Sequence, residues 1–170
     1  MGELRETDWN HELAIVGSED RAPVLVAALD ATRGKKEKET LLREWFYVCE
    51  AIAPQRHDLR RHFADVGWVT DSENPPEFPV TVYRAAWEDD DVATSLSWTM
   101  SREFAERFAR GLTSMRAKFL GYYRDDVVPY IWQATCLTAF AYFDGRDEQE
   151  VVPETLDEIV PIAMLVKEKR

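Results

Sequence analysis

The sequence is short of cysteine, of basic charge and of long apolar runs, and each shortage removes a class of answer. Two cysteines, Cys49 and Cys136, stand in the apolar stretches 45–52 and 130–137, and no C-x-x-C spacing occurs. They read as small buried hydrophobes, not as a disulfide or a zinc site. No apolar run approaches the roughly 20 residues that a spanning helix requires. The chain opens Met-Gly-Glu-Leu-Arg-Glu-Thr-Asp, without a basic stretch followed by an apolar one. Neither a membrane partner nor a Sec-type leader is therefore expected, and the expected location is the cytoplasm. Glu6 stands where a myristoylation signal needs Ser or Thr. The formal net charge is −11, which repels nucleic-acid phosphates and anionic lipid surfaces alike. His57 and His62 are separated by a poor chelating interval on a helix and read as surface or partner-facing residues. No metal is expected.

What is present is the material of a core. Of the 170 residues, 45% are hydrophobic and 12% aromatic, against 31% charged. That composition builds a folded chain, and the length suits one compact unit with a helical appendage. A monomer is compatible with it.

Residues 1–75 read as a helical region. Ser18-Glu19-Asp20 offers a cap and an acidic first turn to a helix carrying Val24, Leu25, Ala28 and Leu29. Gly34 breaks the chain. Residues 36–53 then space Leu41, Leu42, Trp45, Phe46 and Cys49 helically, and Pro54 stops them. A helix over 56–66 carries Leu59, Phe63 and Val66 on one stripe. The stretch 70–79 holds three prolines with Ser72 and Asn74, and is the predicted connector.

Residues 76–170 read as a β-rich core. Strands are predicted at 79–84, 94–99, 127–137, 139–143, 150–152 and 159–166. One helix, 101–111, is capped by Ser101, terminated by Gly111, and carries Phe104, Ala105, Phe108 and Ala109 on one face. Residues 112–126 are ambiguous. The acidic run 88–91 reads as a solvated loop, and Arg84 could pair with it.

Three features in this half carry chemistry. Val82-Tyr83-Arg84-Ala85 ends a strand with a guanidinium. Ser95-Leu96-Ser97-Trp98-Thr99 runs into a capped helix. Asp147-Glu148-Gln149-Glu150-Val151 sets two carboxylates two positions apart as a strand begins. Residues two apart in a strand share a face, so Glu148 and Glu150 are expected to reach one cleft.

In this order the three features resemble the ADP-ribosyltransferases of the arginine–serine–glutamate class. That class includes the cholera and heat-labile enterotoxin catalytic chains and small bacterial and phage relatives. The likeness covers roughly residues 80–165 and rests above all on Asp-Glu-Gln-Glu-Val at 147–151. It implies an α+β fold, with N-terminal helices packed on a split antiparallel β core. It implies NAD⁺ as substrate and a protein acceptor of ADP-ribose, with arginine as the accepting side chain.

The resemblance also implies roles. Glu150 stabilises the positive charge that develops on the ribose as nicotinamide leaves. Glu148 takes the acceptor's proton. Arg84 holds the dinucleotide with a planar fork. Ser97 orients the catalytic carboxylate and Thr99 completes the hydroxyl pattern, with Ser95 the alternative serine. Tyr83 and Ala85 flank the arginine and, with Ser97 and Thr99, are expected among the NAD⁺-binding residues, Tyr83 facing either site or core. Phe104 is a candidate to stack on nicotinamide, with core packing the plainer role at its spacing. Trp98 reads as a packing anchor and Arg146 as a solvated turn residue. The target-selecting loop is expected to be small, about 144–149. An NAD⁺ glycohydrolase and a non-enzymatic interaction module on the same fold are the rival functions.

Overall fold

The computed structural model describes residues 20–44, 53–112, 127–145 and 148–164, together with Trp9, Glu12, Val16 and Arg124. The chain divides into two compact units, residues 1–69 and 70–170. Helices and a five-stranded sheet together make it an α+β protein.

Among the described residues the first unit holds the helices α1 (Arg21–Ala31), α2 (Lys35–Arg43) and α3 (Arg56–Val66). They pack pairwise on one another. Ala22, Leu25, Ala28 and Leu29 form the buried stripe of α1. Asp20 occupies its N-cap position without a side-chain capping bond, so the expected cap does not form there; Ser18 and Glu19 lie outside the described residues. Gly34 is the N-cap of α2, which buries Leu41 and Leu42 and ends at Arg43. Trp45, Phe46 and Cys49 lie outside the described residues. Helix α3 buries Leu59, His62, Phe63 and Val66, the i, i+3, i+4, i+7 positions of one helical face. Gly67, at φ 81°, ends it in a conformation that only glycine adopts freely, and its N–H bonds the Phe63 carbonyl at 2.8 Å.

His62 corrects the surface reading. It is 2% exposed, because its position on α3 lies between Leu59 and Phe63 on the buried stripe. Its Nε2 sits 3.1 Å from Asp30 Oδ1, and Arg61 reaches the same carboxylate at 3.2 Å. Burial, then the nearby Lys38 charge, holds the imidazole below its ordinary value of 6.5 despite Asp30. His57 is exposed.

The sheet, which apart from Val69 belongs to the second unit, is ordered β1 (Val69–Thr70), β4 (Pro129–Phe143), β2 (Val80–Trp87), β3 (Trp98–Thr99), β5 (Glu150–Met164). Strand β4 also pairs with β5, so β4, β2, β3 and β5 close into a ring. All register pairs among these four are antiparallel. Strand β2 is rich in β-branched and aromatic residues, which suit a pleated, half-buried surface. Its alternate residues Val82 and Ala86 join one core with Trp98, Ala134, Cys136 and Val151. On the opposite face Ala85 packs with Ile131, Ala105 and Ala109 under α4 (Arg102–Leu112).

Several expected elements differ in extent. The expected strands at 127–137 and 139–143 fall in one 15-residue strand, β4, which begins at Pro129, and 150–152 and the described part of 159–166 fall in one strand, β5. Pro153 and Pro161 do not end β5, since each pairs beside a register shift in the ladder with β4; bulges are where a strand tolerates a residue without N–H. Residues 94–99 are not a continuous strand. Residues 92–94 form a 3-10 turn, and only Trp98 and Thr99 are strand. Thr94 Oγ1 donates to Asp91 Oδ2 at 2.8 Å and the Ser95 N–H to the Val92 carbonyl at 3.1 Å, local bonds that compete with a ladder.

Gly111 lies inside α4, not beyond its end. Ala105 and Ala109 are buried while Phe108 is 37% exposed: two alanines at i, i+4 let the helix lie close on the sheet, which turns the phenylalanine stripe aside. Cys136 is a free, buried thiol that burial pushes up to about 12. Cys49 and most of 112–126 lie outside the described residues. Among the described residues, no helix is long and apolar enough to cross a membrane.

Candidate functional site

Strand β3 is two residues long, yet it brings the site together. Tyr83 of β2 pairs with Thr99. Thr99 and Trp98 pair in turn with Glu150 and Val151, the first residues of β5. Three stretches far apart in sequence thereby meet within a few ångströms.

Arg84 lies on the same face of β2 as Val82 and Ala86, and is half-buried. Its guanidinium donates through Nη1 to the Ser97 carbonyl. The Ser97 hydroxyl donates to Glu150 Oε1 at 2.6 Å. Glu150 is 8% exposed. The result is a chain from cation through serine to a buried carboxylate. A hydrogen bond of hydroxyl to carboxylate is among the short, strong kind, and it fixes the rotamer of Glu150. The arginine bonds the backbone of the very residue whose hydroxyl holds the glutamate. Losing either contact therefore loosens both.

Ser95, the alternative serine, is used elsewhere. It is 3% exposed, and its hydroxyl points back to the Asp91 carbonyl at 3.4 Å. Ser97 is the serine that meets Glu150. Asp89 and Asp90 pair with Arg124, and Asp90 accepts the Trp87 N–H at 2.9 Å.

Glu148 is half-buried, but it stands before β5, not in it. Gln149 between the two glutamates has φ 47°, the left-handed region that ordinary residues visit rarely. The strand alternation expected to put Glu148 and Glu150 on one face does not apply across such a residue. Two bonds from the end of β3 hold this turn. Thr99 Oγ1 donates to the Glu148 carbonyl, and the Met100 N–H donates to the Gln149 carbonyl at 3.0 Å. Thr99 Oγ1 also accepts the Ser101 N–H at 2.9 Å, and the Ser101 hydroxyl accepts the Phe104 N–H at 3.1 Å, capping α4.

Tyr83 and Ala85 lie on the face of β2 opposite Arg84. Both pack with Ile131, Ala105 and Ala109, so Tyr83 faces the α4 side. Phe104 is half-buried under the guanidinium of Arg107, 5.2 Å from its ring centroid. Trp98 is 1% exposed, within the core of Val82, Ala134 and Val151. Arg146 and Asp147 lie outside the described residues. Beyond the site, the Tyr142 hydroxyl donates to Asp144 Oδ1 at 3.2 Å, and Asp71 accepts the Asp144 N–H at 2.8 Å. Burial, then the Asp144 charge, pushes the phenol up to about 12.

The turn at 148–149 and its clamp were not visible in the sequence. Their one signal is the pair of hydroxyls, Ser97 and Thr99, flanking a buried tryptophan. In a strand such a pair faces one side together, and here each hydroxyl serves one member of the glutamate pair. Among the described residues no group of three or more His, Cys, Asp or Glu is placed to hold a metal. No family model, curated protein or solved structure matches this chain.

Proposed function

We propose that this protein is an NAD⁺-dependent mono-ADP-ribosyltransferase that modifies a protein, with an arginine side chain as acceptor and a core of the ADP-ribosyltransferase type. The observation that carries the reading is the continuous contact from Arg84 through Ser97 to the buried Glu150. Such an array suits cleavage of a glycosidic bond to a cationic leaving group. The C1′–N bond breaks, its electron pair leaves with nicotinamide, and positive charge spreads over the ribose ring. Glu150, held by Ser97, stabilises that charge. Arg84 supplies a cation on the dinucleotide side. The acceptor nitrogen forms the new bond to C1′, and its proton passes to Glu148. NAD⁺ and an acceptor N–H thus give ADP-ribosyl acceptor, nicotinamide and one proton.

The acidic charge supports a basic, arginine-bearing acceptor. The test is incubation of the purified chain with adenine-labelled NAD⁺ and cell lysate. Label on protein with equimolar free nicotinamide is expected. Free labelled ADP-ribose with unlabelled protein would make the chain an NAD⁺ glycohydrolase, and intact NAD⁺ would remove the reading altogether.

A further inference from the structure

We propose that Thr99 is a positioning residue that sets Glu148 for the acceptor by clamping the backbone of the turn at 148–149. The proposal rests on the transferase reading above and assigns Thr99 a role apart from the dinucleotide. Its hydroxyl is doubly engaged, donating to the Glu148 carbonyl and accepting the Ser101 N–H at 2.9 Å. A hydroxyl has one proton to give, and this one is given to the turn. The residue is 7% exposed.

The turn needs a clamp. Gln149 sits at φ 47°, and a non-glycine residue persists there only where its surroundings over-determine it. Thr99 Oγ1 and the Met100 N–H supply two adjacent bonds, to the carbonyls of Glu148 and Gln149. The Glu150 side chain is held by Ser97, and its backbone pairs with that of Thr99 in the ladder of β3 and β5, a pairing that does not use the Thr99 hydroxyl. The two glutamates are therefore fixed by different hydroxyls of β3 and its approach. Loosening the first leaves the second in place. A general base displaced by about 1 Å loses on the order of a hundredfold in rate, while water needs no such alignment with Glu148.

The test uses the full chain with NAD⁺ and agmatine as a guanidine acceptor, following nicotinamide release and ADP-ribosyl-agmatine. Thr99→Val is expected to lower transfer relative to hydrolysis by about tenfold or more, with KM for NAD⁺ within about twofold. Thr99→Ser, which keeps the hydroxyl, restores the wild-type partition. Gln149 is exposed, so Gln149→Val perturbs the turn without threatening the fold. It should shift the partition in the same direction, and Gln149→Gly should not. Equal loss of both routes, or a raised KM for NAD⁺ with an unchanged partition, overturns the proposal. A wild-type chain that makes no ADP-ribosyl-agmatine defeats the transferase reading itself. The clamp is then decided by amide exchange at Met100. Faster exchange in Thr99→Val but not in Thr99→Ser upholds it, and unchanged exchange overturns it.

Discussion

His62 in the helical unit and Glu150 in the sheet unit are both ionisable and both buried, yet their surroundings are built in opposite senses. The imidazole sits on the inner stripe of α3, and its Nε2 partner, Asp30, has a side chain 55% exposed. Burial outweighs that partner, and the ring is driven toward neutrality. Glu150 accepts a hydroxyl hydrogen bond from Ser97, and an arginine stands directly behind that serine. One site shelters a neutral ring inside a packed helix. The other is assembled around an acid, from three separate segments, with a cation at hand. Burial alone does not mark a candidate site; converging polar groups from separate stretches are what single out Glu150 over His62.

The largest expected effect separates the two sites by chemistry. Glu150→Gln should lower nicotinamide release by about 10³-fold, as for loss of a charge-stabilising group elsewhere, while the melting temperature by circular dichroism changes little. Phe63→Ala should do the reverse in kind. Phe63 is fully buried in α3, and its truncation should cost about 3 kcal/mol or more in urea titration. A third change divides the site itself. Glu148→Gln should reduce transfer to agmatine by about 10²-fold yet spare hydrolysis, and equal loss of both would contradict the division of labour.

The smallest effect belongs to His62. Its folded pKa is lowered, so the unfolded chain binds the proton more readily. Stability contributed by the neutral ring is complete above about pH 6.5 and is lost as pH falls through that value toward the folded pKa. Thermal melts should therefore drop between pH 7.5 and pH 5.5 by more in the wild type than in His62→Gln. A matching drop in both would assign the acid sensitivity to other groups.

Legibility in the sequence followed the range of the interactions. The buried stripes of α1 and α3 and the Ser101 cap of α4 depend on residues within a turn or two, and periodicity displays them. Strand β2 was legible only in its first part: it runs on to Trp87, which puts Arg84 within the strand and not at its end. Strand β3 was overdrawn, because the hydroxyls of Thr94 and Ser95 bond locally and wind the chain before the strand begins. The length of β5 was hidden because Pro153 and Pro161, which look like strand ends, sit beside register shifts, while β4 is interrupted at Thr138 only by such shifts in the ladder. His62 was placed on the wrong side of its helix, since a polar residue type outweighed its position between Leu59 and Phe63. In the site, Arg84, Ser97 and Glu150 were singled out by resemblance and not by pattern, for contacts 13 and 53 residues apart leave no local trace. The left-handed Gln149 has no signal of its own, as glutamine does not mark such a conformation, and only the Ser97 and Thr99 hydroxyls hint at its turn.

The most direct measurement is a crystal structure of Glu150→Gln grown with saturating NAD⁺, in which the uncleaved dinucleotide can be seen. The account predicts its nicotinamide ribose against residue 150 and the Ser97 hydroxyl, with the Arg84 guanidinium on a ribose or phosphate oxygen. A dinucleotide bound on another face, or no dinucleotide bound in an otherwise unchanged fold, would contradict it.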